Sequence, residues 1–254
     1  MKFNEAQEQA IRHIDGPCLV LAGPGSGKTA VITDRTRYLI EEAGIHPANI
    51  LVVTFTKAAA MEMQERFRTK MQGANVPCTF GTFHSIFFWI LRRAYGYTGN
   101  QIVSEEEKRK ILTELVQKME LEYEDEEEFI QNLIGEITLV KSEYMPIEHY
   151  YSTTCGEAEF RQLYQSYQER IQSEGKLDFD DMLVYTYELL KERPDICRQW
   201  QEKFQYILID EFQDINHIQY EIVRMLSGDR KNLFVVGDDD QSIYRFRGAR
   251  PEIM

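Results

Sequence analysis

A glycine-rich segment ending in Lys-Thr directly follows the short apolar run Cys18–Leu21. Its residues are Ala22, Gly23, Pro24, Gly25, Ser26, Gly27, Lys28 and Thr29. A buried strand, a glycine-rich turn and a helix that opens with Lys-Thr are typical of a phosphate-binding loop. The glycines let consecutive backbone N–H groups turn toward a phosphate, and the helix points its partial positive end at the same anion. Lys28 can then reach the β- and γ-phosphates of a nucleotide, and the Thr29 hydroxyl can ligate Mg²⁺.

One position departs from the usual pattern, because Ala22 stands where a glycine normally begins the loop. The alternative interpretation is an ordinary glycine-rich turn between a strand and a helix. Phosphate binding is favoured because Lys28 and Thr29 follow the turn and an apolar run precedes it.

Two adjacent carboxylates, Asp210 and Glu211, follow a second apolar run, Tyr206–Ile209. Open α/β sheets bind their ligands at the carboxyl ends of the strands, so both carboxylates are candidates for nucleotide chemistry. We assign Asp210 to the metal ion and Glu211 to the attacking water. The alternative, acidic residues that begin a helix, suits Asp214 better than Asp210.

A third segment combines a strand end with polar and aromatic side chains. Gln241 could hydrogen-bond a γ-phosphate, and beyond it Tyr244, Arg245, Phe246 and Arg247 alternate aromatic rings with arginines. Such alternation suits bases that stack beside a phosphodiester backbone. A surface hairpin with packed aromatic side chains is the alternative.

Composition limits the class of protein. The 254 residues carry a formal net charge of −13, which argues against a diffuse basic surface but not against a local groove for nucleic acid. The four cysteines form no C-x-x-C pair, which disfavours a disulfide framework or zinc site and fits a reducing compartment. The N-terminus has no apolar signal core, and the longest nearly apolar run, residues 86–91, is too short to cross a membrane. We therefore expect a soluble cytoplasmic protein.

Strand and helix patterns alternate toward both ends of the chain. The predicted strands are residues 18–21, 50–54, 78–80, 206–209 and 233–236. This alternation is typical of a parallel α/β sheet. Residues 97–195 instead carry helix signals and almost no strand signal, which predicts an all-helical insertion; within it, Asp178, Asp180 and Asp181 are interpreted as helix-capping residues.

Together these segments resemble the N-terminal part of the UvrD/PcrA/Rep-type superfamily 1 DNA helicases. The matching stretches, in the family's order, are residues 3–7 (Q motif), 22–29 (motif I), 53–63 (Ia), 81–85 (Ib), 177–183, 209–214 (II) and 236–249 (III). The resemblance implies a RecA-like P-loop NTPase domain, 1A, with a parallel sheet interrupted by an all-helical insertion, 1B. Domain 1A would comprise residues 1–96 and 196–254, and 1B residues 97–195.

The resemblance also implies residue roles, with ATP and Mg²⁺ as cofactors. The expected catalytic residues are Lys28, Asp210, Glu211 and Gln241, with Thr29 and Asp210 at the metal. Besides the phosphate loop, Gln7, Gln241 and Arg247 would contact the nucleotide: Gln7 would read the adenine, and Arg247 would link the nucleotide to the DNA. The residues expected to line a single-stranded DNA track are Phe55, Thr82, His84, Tyr244 and Phe246.

Family members carry a second motor domain (2A/2B) with motifs IV to VI and γ-phosphate arginines, which these 254 residues do not include. The expectation is therefore an ATP-binding half-motor of a 3′–5′ helicase, with weak DNA binding and little hydrolysis or unwinding by itself. Two alternatives stay open. The chain could be the motor part of a helicase–nuclease, or a stand-alone nucleotide-binding module.

Overall fold

The computed structural model describes residues 3–238, and its centre is a five-stranded sheet. The strands are β1 (Cys18–Leu21), β2 (Ile50–Thr54), β3 (Thr79–Thr82), β4 (Tyr206–Ile209) and β5 (Leu233–Gly237). All neighbouring strands are parallel, in the order β1-β5-β4-β2-β3. The predicted parallel α/β fold is confirmed. Because the strands are parallel, all their carboxyl ends lie along one edge of the sheet.

Ten α-helices lie within the described part of the chain. They are α1 (Glu5–Arg12), α2 (Lys28–Glu41), α3 (Lys57–Lys70), α4 (Phe83–Tyr95), α5 (Glu105–Lys118), α6 (Glu126–Ser142), α7 (Glu157–Ser173), α8 (Phe179–Glu192), α9 (Pro194–Lys203) and α10 (His217–Ser227). Polar N-cap side chains fix where several of them begin, including Asn4, Thr82, Ser104 and Asp178. Helix α9 was not predicted from the sequence as a separate helix.

The buried apolar residues of the described part of the chain form three hydrophobic cores. Helices α1, α2 and α3 cover one face of the sheet, and α4, α8, α9 and α10 cover the other. Helices α5, α6 and α7 enclose a third core of their own, which includes the fully buried Leu112, Leu133 and Phe160. The helices between β3 and β4 therefore contain a separately packed unit. The boundaries at residues 96/97 and 195/196 stay a prediction.

A buried charged cluster joins this unit to the sheet domain. Lys141 on α6 lies 2.8 Å from both Asp178 and Asp181, and Lys108 on α5 lies 3.0 Å from Asp180. The predicted capping is confirmed for Asp178 and Asp181, which form a capping box at the start of α8, whereas Asp180 accepts hydrogen bonds from Lys108 and Thr138 instead. The prediction was incomplete, since it did not include the two lysines that neutralise these carboxylates.

Strand β1 differs from the fully buried strand that the sequence predicted. It lies at an edge of the described sheet, and only one of its faces is packed. Leu19 and Leu21 on the other face are 43% and 62% exposed. An apolar run alone cannot distinguish an edge strand from a central one.

Between residues 3 and 238, no helix combines the length and the apolar character needed to cross a membrane.

Candidate nucleotide site and nucleic-acid track

The phosphate loop connects the end of β1 to the start of α2, as predicted. Its backbone turns through left-handed conformations at Gly25 (φ 68°) and Gly27 (φ 84°), which residues with side chains rarely adopt. The N-cap of α2 is Gly27, so no side chain caps the first helical turn. The N–H groups of that turn and its partial positive charge are therefore available to an anion.

Gln7 connects helix α1 to this loop. Its side-chain Nε2 donates a hydrogen bond to the carbonyl oxygen of Ser26 at 2.8 Å. Its Oε1 accepts from the backbone N–H of Asn4 at 2.9 Å, and Asn4 in turn caps α1. Gln7 thus combines a capping-box role with a position beside the phosphate loop.

Asp210 follows β4 at the carboxyl edge of the sheet, next to strand β5. Its backbone N–H donates to the carbonyl oxygen of Val53 at 2.9 Å, which continues the sheet pairing by one residue. The side chain is buried, and its Oδ1 has no hydrogen-bond partner among the described residues. Burial, followed by the neighbouring carboxylate of Glu211, raises the pKa of Asp210 to about 6. A buried carboxylate oxygen without a partner fits a hydrated cation, because Mg²⁺ prefers oxygen ligands.

Lys28 and Glu211 lie close together at the carboxyl ends of the strands. The Lys28 Nζ lies 3.6 Å from the Glu211 Oε2, although the phosphate loop and the acidic segment are far apart in sequence. Strand order explains this contact, because β5 alone separates β1 from β4 and adjacent strands lie about 5 Å apart. The structure thereby brings together three predicted catalytic residues, Lys28, Asp210 and Glu211. Thr29, the second residue of α2, is half-buried beside them.

Glu211 and Gln213 form a contact that sequence analysis missed. Glu211 adopts a left-handed backbone conformation (φ 54°), which is uncommon for a residue with a side chain. Gln213 is buried; its Nε2 donates to the Glu211 Oε2 at 2.8 Å, and its Oε1 accepts from the Asp238 N–H at 3.0 Å. Gln213 therefore links the acidic segment to the end of β5. Its place in motif II was the only available sequence signal.

Three of the predicted DNA-contacting residues, Phe55, Thr82 and His84, lie near the carboxyl ends of β2 and β3. Phe55 follows β2, Thr82 ends β3, and His84 lies in the first turn of α4. Thr82 caps α4 by accepting a hydrogen bond from the Ser85 N–H at 3.2 Å. The His84 ring packs edge-on against Phe179 at the start of α8, with ring centroids 5.6 Å apart. Phe179 was not predicted as a site residue, and it is 42% exposed.

The remaining predicted site residues, Gln241, Tyr244, Phe246 and Arg247, lie outside the described residues. Their roles stay predictions.

A family model described as UvrD/REP helicase N-terminal domain matches residues 3–254. The chain is 41% identical over 259 residues to YjcD of Bacillus subtilis, covering 99% of this chain and 34% of YjcD. It is 37% identical over 263 residues to the ATP-dependent DNA helicase Rep of Escherichia coli, covering 99% and 38% respectively. For the ATP-dependent DNA helicase PcrA of Staphylococcus aureus the identity is 36% over 254 residues, covering 97% and 34%. The chain thus spans about a third of the length of these relatives.

Proposed function

Because the chain belongs to the family of UvrD/REP helicase N-terminal domains, we propose that it binds ATP with Mg²⁺ and supplies the ATPase half of a DNA helicase. The observation that carries this proposal is the meeting of Lys28 with Glu211 beside the buried Asp210. A phosphate loop alone occurs in many protein classes. A loop lysine beside the acidic end of a strand two positions away in the sheet is the arrangement that P-loop NTPases use for nucleotide hydrolysis.

The Lys28–Glu211 pair suggests how the site responds to a nucleotide. The triphosphate carries more negative charge than one carboxylate, so Lys28 exchanges Glu211 for phosphate oxygens when ATP binds. Glu211 is then released from its cation while Gln213 still donates to it. A carboxylate in that state can orient and deprotonate a water molecule.

Thr29 and Asp210 are the residues proposed to hold Mg²⁺. The buried Asp210 Oδ1, which lacks a hydrogen-bond partner among residues 3–238, fits such a role. A bound Mg²⁺ would neutralise negative charge on the phosphates. Gln7, which already contacts the phosphate loop through Ser26, is proposed to read the adenine base. Gln241 is proposed to hydrogen-bond the γ-phosphate, and Arg247 to link the nucleotide to the DNA.

The surface at the carboxyl ends of β2 and β3 is proposed as part of a single-stranded DNA track. Phe55, Thr82 and His84 lie there, and the exposed Phe179 adds an aromatic ring in contact with His84. Base stacking on aromatic side chains contributes about 1–3 kcal/mol per base and tolerates any sequence. Tyr244 and Phe246 are proposed to continue the track.

The activity of the complete protein is part of the same proposal. We propose an ATP-dependent helicase that moves 3′ to 5′ on single-stranded DNA, with a second motor domain (2A/2B) contributing γ-phosphate arginines. We also propose a cytoplasmic location, which is compatible with four cysteines that are all free thiols. Arginines that contact the γ-phosphate raise turnover by about 10³–10⁵. These 254 residues by themselves should therefore bind ATP but hydrolyse it slowly.

ATP hydrolysis by the 254-residue chain, with and without oligo(dT), tests the proposal. Wild type is compared with Lys28→Ala and Glu211→Gln, and ATP binding is measured in parallel. We expect slow turnover, ATP binding that Lys28→Ala weakens, and binding that Glu211→Gln retains. Binding that is independent of Lys28 would overturn the nucleotide site. Rapid DNA-stimulated turnover, lost in both variants, would support the site but refute the need for arginines from a second domain.

A further inference from the structure

Arg35 is a buried cation that the nucleotide site, as described above, does not use. It lies on α2, the helix that follows the phosphate loop, and is only 2% exposed. Its Nη1 donates to the carbonyl oxygen of Ala10 at 3.2 Å, and its Nη2 to that of Ile14 at 3.3 Å. Its guanidinium carbon lies 4.4 Å from the centre of the Phe234 ring on β5. One side chain thus joins α1, α2 and β5.

The surroundings of this guanidinium are unusual for a buried charge. Buried cations are normally paired with a carboxylate, because removing a charge from water is unfavourable. In the described part of the chain no carboxylate pairs directly with Arg35, whose contacts are two backbone carbonyls and the π face of Phe234. The nearest help comes from Asp15, which is held by the Tyr206 hydroxyl at 2.7 Å and favours the charged guanidinium without contacting it. Burial lowers the pKa of Arg35 to about 10, so the side chain stays charged at neutral pH. An apolar residue would fill the same space without this desolvation, which points to a specific role for the charge.

One of the two carbonyls lies in the last turn of α1 and the other lies just beyond its C-terminus. Helix α1 ends at Arg12, and the last carbonyls of a helix have no partner within the helix and carry partial negative charge. Arg35 satisfies one such carbonyl, that of Ala10, together with the carbonyl of Ile14 just beyond the helix. It therefore acts as a C-terminal cap that reaches α1 from another helix.

The opposite end of α1 carries Gln7. Eight residues of helix span about 12 Å, so the two ends of α1 are close enough to behave as one rigid unit. At the N-terminal end, among residues 3–238, the Gln7 side chain is joined to the loop by one hydrogen bond, to Ser26. Apolar packing of Ile11, Ala10 and Ile14 holds α1 against the core, but such contacts are non-directional. The two Arg35 hydrogen bonds add a directional attachment at the C-terminal end of the same structural unit.

We propose that Arg35 is a positioning residue for base recognition: it anchors the C-terminal end of α1 on α2 and β5, and so holds Gln7 where the adenine of bound ATP can be read. This inference rests on the proposed function, specifically on Gln7 as the base-reading residue. Arg35 acts through α1 and touches neither base nor phosphate. Its loss should therefore reduce discrimination between nucleobases more than it reduces binding of the triphosphate.

The test measures Mg²⁺-dependent binding of ATP, GTP and inorganic tripolyphosphate by calorimetry. The proteins are wild type and the single variants Gln7→Ala, Arg35→Met, Arg35→Lys and Lys28→Ala, plus the double variant Gln7→Ala/Arg35→Met. Arg37→Met is the matched control, because Arg37 lies on the same helix but is 39% exposed and pairs with Glu41. Circular dichroism and thermal unfolding establish that each variant is folded.

We expect Arg35→Met to lower the preference for ATP over GTP by about 3- to 10-fold, the effect of one hydrogen bond. Tripolyphosphate binding should change little, Arg35→Lys should recover part of the preference, and Arg37→Met should behave as wild type. The double variant should be no worse than Gln7→Ala, because residues that act through one another are not additive.

The outcomes separate this inference from the function on which it rests. Tripolyphosphate binding that is unaffected by Lys28→Ala would refute the nucleotide site itself. A Gln7→Ala variant with an unchanged base preference would overturn the base-reading role and this inference together. A reduced preference in Gln7→Ala, with folded Arg35 variants at the wild-type preference, would overturn the Arg35 inference alone, as would additive effects in the double variant. If Arg35→Met does not fold, Arg35→Lys decides by the same criterion.

Discussion

Replacing Lys141 by methionine should strongly destabilise the junction between the helical unit and the sheet domain. Lys141 is 1% exposed and lies 2.8 Å from both Asp178 and Asp181, whose side chains are 2% and 1% exposed. Methionine has a similar length but no charge, so it would leave Asp178 paired with Lys108 at 3.4 Å and Asp181 without an ion pair among the described residues. Removing one partner of a buried ion pair costs about 3–5 kcal/mol. For a domain of this size, that loss lowers Tm by about 6–20 °C.

The loss of unfolding free energy in Lys141→Met should be larger at high pH than at low pH. Burial alone would raise the pKa of Asp178, but in the wild type Lys141 and Lys108 hold it well below its usual range. This carboxylate therefore stabilises the fold above its unfolded pKa of about 3.9, and the contribution is lost on acidification. Without Lys141 the buried carboxylates gain protons more readily. The free-energy cost of burying their charge is therefore present at high pH and disappears at low pH. The Asp178 contribution in the wild type is already complete at pH 5, so the second effect alone makes the stability loss of the variant larger at pH 8 than at pH 5.

Urea unfolding of wild type and Lys141→Met at pH 8 and pH 5 measures these free energies. Lys110→Met is the control, because Lys110 is an exposed lysine on α5 and its loss should change stability by no more than about 0.5 kcal/mol. A deficit below about 1 kcal/mol, the range of exposed ion pairs, would refute a buried cluster. A deficit of the same size at both pH values would refute the charge-based explanation in favour of lost packing.

Three further predictions concern the site and its supports. In metal-free buffer at pH 8, Asp210→Asn should stabilise the fold by about 2–3 kcal/mol in urea unfolding, because the folded-state pKa is raised from 3.8 to about 6; the gain should vanish below about pH 4. Phe179→Ala should weaken oligo(dT) binding about 5- to 100-fold in fluorescence anisotropy, the effect of one lost base stack. Gly81→Ala should lower stability by about 1–3 kcal/mol in thermal unfolding, since the new Cβ would lie 2.7 Å from the Ser85 Oγ.

Each of these predictions has its own control or contrary result. Asp229→Asn removes an exposed carboxylate and should not stabilise the protein at pH 8; equal gains in the two variants would contradict the burial argument. Unchanged oligo(dT) affinity in a folded Phe179→Ala variant would remove Phe179 from the track. If Gly81→Ser is as stable as wild type, the space beside Ser85 is not limiting.

Local sequence signals predicted the parts of this protein that depend on local structure. The phosphate loop follows from residue types within 22–29, and the start of α8 follows from its capping residue Asp178. The strand–helix alternation gave the parallel sheet. In each case the physical cause lies within a few residues of the feature, which is why one sequence is sufficient.

Features that depend on distant contacts were not predicted. The partners of Asp178 and Asp181 are lysines on two other helices, and Arg35 caps a helix other than its own. The exposure of Leu21 depends on the position of β1 at the sheet edge, which strand period does not encode. The His84–Phe179 contact likewise joins two helix starts that are far apart in sequence. Pairings of this kind are set by tertiary packing, and no local pattern contains them.

Equilibrium binding of ATP with Mg²⁺ to wild type, Lys28→Ala and Lys118→Ala tests the central claim most directly. Lys118 lies on α5, is exposed and is remote from the phosphate loop, so it controls for the loss of any one positive charge. We predict that Lys28→Ala weakens binding about 10- to 100-fold, the effect of losing one charged hydrogen bond, while Lys118→Ala binds as wild type. Equal affinities in wild type and Lys28→Ala would contradict the account, because the residues at 22–29 would then not form the site at which the triphosphate binds.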